Sequence, residues 1–329
     1  MNQPTTEQYG FYGRLTQDFP SQIVVDITEV CNLACIHCPH PDFKKSLAYT
    51  NAFLPLELNA KMVSEVREHG AGKTLYIRYT SNGEPLVHPQ CYDMIQDAVD
   101  RSGTFVTITT NGTTLNEKRM RKLLESGVHL IDISIDAFSP ETYAKVRVNG
   151  DLAVTRGNVL NLLRWVQEAK SPTKIVVSFV EQAANAHETD AFEKYWKDAG
   201  AHYVVVRKQH SSAGAVVQVA GKMRDRLGTA GRRPCLYPWE RITLNPRGEL
   251  AFCPQDWTHG SALADYRDTT IRELWSSPEY EALRQAHLCG NYKDHAFCGQ
   301  CPDWSVTSWP GHGRGYADMI EEFVAPVAA

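Results

Sequence analysis

Cys31, Cys35 and Cys38 form a C-x3-C-x2-C spacing in the run Asp26-Ile27-Thr28-Glu29-Val30-Cys31-Asn32-Leu33-Ala34-Cys35-Ile36-His37-Cys38-Pro39, directly after a strand-like stretch at 22–26. Three thiolates on one short loop can hold three corners of a [4Fe–4S] cube. No fourth cysteine lies nearby, so the remaining iron would stay open to an exogenous ligand. A zinc loop or a redox pair could use the same sulfurs, although zinc sites favour C-x2-C pairs and a closed set of four ligands. Of the other cysteines, Cys91 stands alone, and Cys235, Cys253, Cys289, Cys298 and Cys301 follow residue 234. Cys298-Gly299-Gln300-Cys301 is a C-x2-C pair. The segment 242–252 reads as a hairpin with a Pro-x-Gly turn at Pro246 and Gly248, which would draw Cys235 and Cys253 together.

The elements that must position these groups alternate regularly. Strand-like runs at Ile23–Ile27, Leu75–Thr80, Phe105–Thr109, Leu130–Ile135, Ile175–Val180 and Tyr203–Val206 are separated by apolar stripes at helical spacing, such as Met62-Val63-Val66 and Val159-Leu162-Leu163-Val166. That alternation predicts α/β units on a parallel sheet. The stripes are read as core faces of helices. The division expected is an N-terminal extension (1–20), a barrel domain (21–210), a linker (211–234), a small α+β domain with the late cysteines (235–308) and a tail (309–329). A net charge of −4 gives no electrostatic case for a nucleic acid or membrane partner. The polar stretch 1–19 and the lack of any apolar run of membrane-spanning length predict no signal peptide and a cytoplasmic location. Thiols there stay reduced, which favours metal binding over disulfides.

On the cysteine loop and on Asn82-Gly83-Glu84-Pro85, the chain resembles the radical S-adenosylmethionine (radical SAM) superfamily. The resemblance implies a partial (β/α)6 TIM-like barrel with its chemistry at the C-terminal ends of the strands. It also implies that SAM binds the open iron and is cleaved to methionine and a 5′-deoxyadenosyl radical. Asn82 stands where the family's GGEP motif has its first glycine, and Asn82, Gly83, Glu84 and Pro85 are expected to contact the SAM amino group. SAM contacts are likewise implied for Asn111, Ser134 and Asp136, with Arg147 near the carboxylate and His37 against the adenine. Asn111-Gly112 is equally a plain turn signal, and Arg147 equally a solvated helix-end arginine.

Residues 235–308, with Cys235-x2-Pro238-Trp239 and Cys253-Pro254-Gln255-Asp256-Trp257, resemble the SPASM/Twitch auxiliary-cluster domains. That implies Cys235, Cys253, Cys298 and Cys301 as ligands of a second, closed [4Fe–4S] cluster. The full SPASM pattern, with two auxiliary clusters, needs more cysteines than the chain has. Spacing alone leaves a four-cysteine zinc ribbon open.

A resemblance to Twitch-type aminocyclitol dehydrogenases implies oxidation of a secondary alcohol to a ketone, with the auxiliary cluster as electron acceptor and a base for the hydroxyl proton. Arg207 and His210, beyond the last barrel strand, are placed for that role. Cys289, on the glycine-containing turn 287–291, is a candidate hydrogen-atom donor if the outcome is epimerisation; otherwise Cys289 and Cys91 are inert packing residues. Arg224, Arg226, Arg232 and Arg233 are candidates for a substrate phosphate. A first strand beginning by Ile23 leaves no room for a peptide-recognition module, so a small sugar, aminocyclitol or nucleoside is expected, with flavodoxin or ferredoxin as electron donor. The alternatives are a radical SAM epimerase, lyase or C–C coupling enzyme, and a non-catalytic iron–sulfur or zinc module.

Overall fold

The computed structural model of the chain describes residues 9–80, 82–228 and 231–324. Ser81, the first eight residues of the expected extension, residues 229–230 of the expected linker and 325–329 of the tail lie outside the described residues.

Strands β1 (Gln22–Val25), β2 (Tyr76–Tyr79), β3 (Phe105–Thr110), β4 (Leu130–Ser134), β5 (Lys174–Glu181) and β6 (Tyr203–Lys208) pair parallel in sequence order, the arrangement of a partial (β/α)6 barrel. Helices α1 (Leu56–His69), α2 (Cys91–Arg101), α3 (Glu117–Glu125), α4 (Pro140–Val146), α5 (Leu152–Glu168) and α6 (Thr189–Asp198) supply the crossovers. The hairpin expected at 242–252 forms as β7 (Arg241–Leu244) and β8 (Glu249–Ala251), followed by β9 (Ala262–Asp265). Its turn needs Gly248, which sits at φ 84°. The sequence did not foretell that β7 pairs parallel with β1, Val25 opposite Leu244, so the cysteine-rich domain continues the barrel sheet. Nothing local encodes a pairing between segments so far apart in the chain.

Alternation along each strand divides the interior. Ile23, Val25, Ile77, Val106, Ile108, Ile131, Ile133, Ile175 and Val177 join the main core with Met62, Val66, Met94, Leu123, Val159 and Leu162 of the helices. The alternate residues face the barrel lumen. At the N-terminal end of the lumen, Tyr76, Leu130 and Val176 pack with Phe105, Tyr203 and Val205 against Ala317, Met319 and Ile320. Those last three belong to helix α9 (Tyr316–Val324), so within the expected tail a helix closes the barrel floor. Arg14 of the N-terminal extension fastens it, with Nη1 2.8 Å from Asp318 Oδ1. The expected linker is also structured: residues Val217–Leu227 form α7, and the backbone amides of Ser211 and Ala213 donate to Asp303 at 2.9 and 2.7 Å. Helix α8 (Pro278–Cys289) completes the C-terminal half.

Candidate active site

The cysteine loop leaves β1 at the C-terminal end of the sheet and is clamped from three sides. On the first, Leu54 N donates to Ile27 O at 2.9 Å, and the Glu29 carboxylate accepts from Thr50 N and Ala52 N at 2.7 and 3.1 Å. On the second, Ala34 N and Ile36 N donate to Val148 O and Val146 O at the end of α4, at 3.0 and 3.1 Å. On the third, Glu84 N donates to Val30 O at 2.9 Å. This last approach has no room for a side chain: a Cβ on Gly83 would stand 2.0 Å from Thr28 O and 2.7 Å from Val30 O.

The loop thiols fit a cationic cluster. Cys35 is buried and Cys31 and Cys38 are half-buried. Burial pushes Cys31 and Cys38 up to about 12, with the charges of neighbouring cysteines adding to it. Burial also raises Cys35, against which the Arg147 guanidinium works. Clustered thiols in this state hold their protons until a metal displaces them.

Around the loop the expected SAM-contact residues occupy the ends of β2, β3 and β4. Glu84 is buried and heavily engaged, its carboxylate accepting from Thr110 Oγ1 at 2.6 Å, Asn111 N at 2.7 Å and Leu86 N at 3.1 Å. Pro85 opens the short helical turn that follows it. Asn111 Nδ2 donates to Asn32 of the cysteine loop at 2.9 Å, and its Oδ1 accepts from Thr113 N at 3.0 Å. Ser134 ends β4 half-buried. Asp136, at φ 61° and fully buried, accepts from Val180 N at 2.7 Å and pairs with Arg147 at 2.5 Å. Arg147 is therefore a buried group at the C-terminus of α4, not a solvated one. His37 lies 3.4 Å from the same Asp136 carboxylate and accepts from Gln182 at 3.1 Å. Burial lowers its pKa to about 4, so the ring is neutral at physiological pH. Asn82 donates through Nδ2 to Asp256 O at 2.7 Å, joining the motif to the C-terminal domain.

Cys235, Cys253, Cys298 and Cys301 line one cavity, walled by Tyr237, Phe252, Phe297 and Trp304. Burial raises all four thiols, Cys301 to about 12. Four sulfurs in an aromatic shell are the donor set of a closed cluster. Sequence reasoning missed His287, which also lines this cavity; burial lowers it to about 3, and no hydrogen bond to its Nε2 is present among the described residues.

Several expectations are corrected. Arg207 lies within β6, not beyond it, and is paired with Asp132 at 3.4 Å. Cys289 ends α8 exposed and is not among the residues lining the cluster cavity, so the expected burial does not describe it. The arginines considered for a phosphate are occupied with backbone carbonyls. Arg224 donates to Gln300 O at 2.7 Å, Arg226 to Lys222 O at 3.3 Å, Arg232 to Cys298 O at 2.7 Å and Arg233 to Ser305 O at 3.0 Å. Apart from Arg226, they brace the segment bearing Cys298 and Cys301. His210 follows β6 with Nδ1 3.7 Å from Asp303.

The model of the radical SAM superfamily matches residues 25–181, and that of the SPASM iron–sulfur cluster-binding domain matches 235–302. Among curated proteins, the chain is similar to a probable GTP 3′,8-cyclase of Methanococcus maripaludis, 27% identical over 58% of each chain. It is also similar to the mycofactocin maturase MftC of Mycobacterium ulcerans, 25% identical over 74% of this chain and 59% of that one. The chain thus spans under two thirds of both relatives' lengths. The fold is shared with BtrN in complex with AdoMet and 2-DOIA, at a TM-score of 0.57 and 16% identity over 85% of this chain and 92% of that one. It is shared too with Streptococcus suis SuiB bound to precursor peptide SuiA, at 0.64 and 12% over 92% and 73%. Among the described residues, no helix is long and apolar enough to cross a membrane.

Proposed function

Since the chain belongs to the radical SAM superfamily and carries a SPASM iron–sulfur domain, we propose that it oxidises a secondary alcohol of a small sugar, aminocyclitol or nucleoside to a ketone at the barrel mouth. Bound at the three loop cysteines, a [4Fe–4S] cluster with SAM supplies a 5′-deoxyadenosyl radical, and a second cluster at Cys235, Cys253, Cys298 and Cys301 supplies a one-electron acceptor. The observation that carries this reading is the convergence of those four thiols on one cavity. Four protein ligands leave no iron for substrate, so electron transfer is the chemistry left to that site. The substrate carbon gives up a hydrogen atom, its hydroxyl a proton, and one electron passes on, which balances the loss of two hydrogens.

The chain's own residues arrange the mouth. Glu84 fixes the backbone of Asn111 and Leu86, and Gly83 lets that motif lie flat on the cysteine loop. Asp136 and Arg147 neutralise one another beneath the loop and steady Cys35. For the hydroxyl proton we favour His210, whose ring faces Asp303. Arg207 is unsuited, because a guanidinium stays protonated.

The test is an anaerobic reaction of reconstituted protein with SAM, reductant and panels of sugars, aminocyclitols and nucleosides, read by mass. A product lighter by two hydrogens supports oxidation. An isobaric product with an inverted centre replaces it with epimerisation. His210→Asn should still cleave SAM while ketone formation falls by on the order of 100-fold, the size of a general-base contribution.

A further inference from the structure

Five consecutive strands each send one polar side chain into the lumen, just above the apolar floor made by α9. Arg78 of β2 donates to Thr109 Oγ1 of β3 at 2.9 Å and to Asp132 Oδ2 of β4 at 3.2 Å. Arg207 of β6 donates to the same Asp132 oxygen at 3.4 Å and to Ser178 Oγ of β5 at 3.1 Å. The Ser178 hydroxyl in turn donates to Asp132 Oδ1. Beneath this layer the Tyr316 ring of α9 lies 3.8 Å from the Arg78 guanidinium and 5.5 Å from that of Arg207.

The charges in this layer do not cancel. One carboxylate, fully buried, faces two guanidiniums, leaving one positive charge in the wall of the lumen. A single arginine would satisfy Asp132, so the second exceeds what the fold needs. Other charges on or beside these strands are already balanced: Arg147 pairs with Asp136, Lys208 with Glu181 and Arg241 with Glu240. The arginines are also reachable, with Arg78 and Arg207 side chains 15% and 34% exposed while Asp132 is at 0%. A buried acceptor thus holds two planar donors in fixed orientation, with the remaining N–H groups accessible. Such an arrangement recognises oxyanions, because guanidinium matches carboxylate and phosphate geometry.

We infer that Arg78 and Arg207, held on Asp132, form a subsite for an anionic group of the substrate, a phosphate or a carboxylate. This narrows the substrate to the acidic or phosphorylated members of the class, and it rests on the proposed function only in placing that substrate at the barrel mouth. Tyr316 makes α9 part of the subsite and not only a plug.

Isothermal titration of the anaerobically reconstituted, SAM-loaded protein with inorganic phosphate and with acetate tests this without turnover, so its failure is separable from failure of the oxidation reading. Saturable binding of at least one anion is expected, and the stronger of the two distinguishes phosphate from carboxylate. Arg207→Gln and Arg78→Gln should each weaken it by roughly tenfold, the scale of one charge-assisted hydrogen bond. Asp132→Asn should instead strengthen it several-fold by removing the competing carboxylate, a gain that a purely structural layer would not produce. Arg226→Gln, on an exposed guanidinium engaged with Lys222 O of its own helix, serves as the unaffected control. Absence of saturable binding of both anions, equal binding in wild type and both arginine variants, or unchanged or weakened binding by Asp132→Asn would each overturn the inference.

Discussion

Adding one methyl group at Gly83 should unseat the cysteine loop without altering a ligand. The new Cβ would lie 2.0 Å from Thr28 O, 2.7 Å from Val30 O and 2.9 Å from Thr28 C. Carbon contacts are comfortable near about 3.5 Å, so the two backbones must part by roughly 1 Å or more. These are main-chain atoms and cannot swing aside. The movement would break the Glu84 N to Val30 O bond, and Val30 adjoins Cys31. Overpacking costs about 1–3 kcal/mol and the lost hydrogen bond about 0.5–1.5 kcal/mol, together about 1.5–4.5 kcal/mol. A displacement on the order of 1 Å can cost on the order of 100-fold in rate. Iron and sulfide content after anaerobic reconstitution and 5′-deoxyadenosine formation with a chemical reductant should therefore both fall in Gly83→Ala. Gly157→Ala in α5 is the matched control, since nothing lies within 4 Å of its added Cβ. That change should be neutral or stabilising by about 0.4–1 kcal/mol. Full iron loading and wild-type SAM cleavage by Gly83→Ala would refute the reasoning.

Three other perturbations have definite signs. Arg147→Met leaves Asp136 as an unpaired buried charge and should destabilise the protein by about 3–5 kcal/mol, with Asp136→Asn in the same chain restoring part of the loss in a denaturant titration. Burial alone would raise the Glu188 carboxyl, but hydrogen bonds from Ser139, Phe138 and Thr142 hold it below its ordinary range. A depressed folded-state value means stability present above the unfolded pKa of about 4.3 and lost as pH falls through the folded one. Glu188→Gln should accordingly flatten the acid limb of a melting-temperature profile. Ile320→Ala, at a fully buried position in α9, should cost about 2–5 kcal/mol and loosen the barrel floor, seen as faster hydrogen exchange in α9.

The barrel was legible because its signals are local. Alternating strand residues such as Ile131 and Ile133, and helical stripes such as Leu162 and Val166, carry their own periodicity and join one core. The cysteine loop and Gly83-Glu84-Pro85 were legible for the same reason, as short motifs at strand ends. What escaped notice depends on the third dimension. Arg78 and Asp132 are each one charge in an apolar strand, and only the lumen shows them to be partners. Such a charge at a lumen-parity position is the signal that was available and unused. The tail gave no family match, yet Ala317, Met319 and Ile320 form an apolar stripe at helical spacing that needed a surface to cover. Arg224, Arg232 and Arg233 read as solvated or substrate-facing charges because carbonyls are invisible in a sequence of side chains; they grip the backbone instead.

Asn82 brings the two halves of the molecule to one point. As a departure from the GGEP glycine it looked incidental, but its Nδ2 reaches Asp256 O in the segment that begins at Cys253. Glycine offers no such donor. The same residue's backbone amide donates to Asp26 at 3.3 Å, at the end of β1, the strand on which β7 pairs. The motif is thereby tied at once to the barrel strand leading into the cysteine loop and to the loop that carries Cys253. Rigid spacing between two one-electron centres is what an oxidation that uses both would demand. A side chain at this position therefore follows from the sheet continuing through β7, which carries the Cys253 segment up to the barrel mouth.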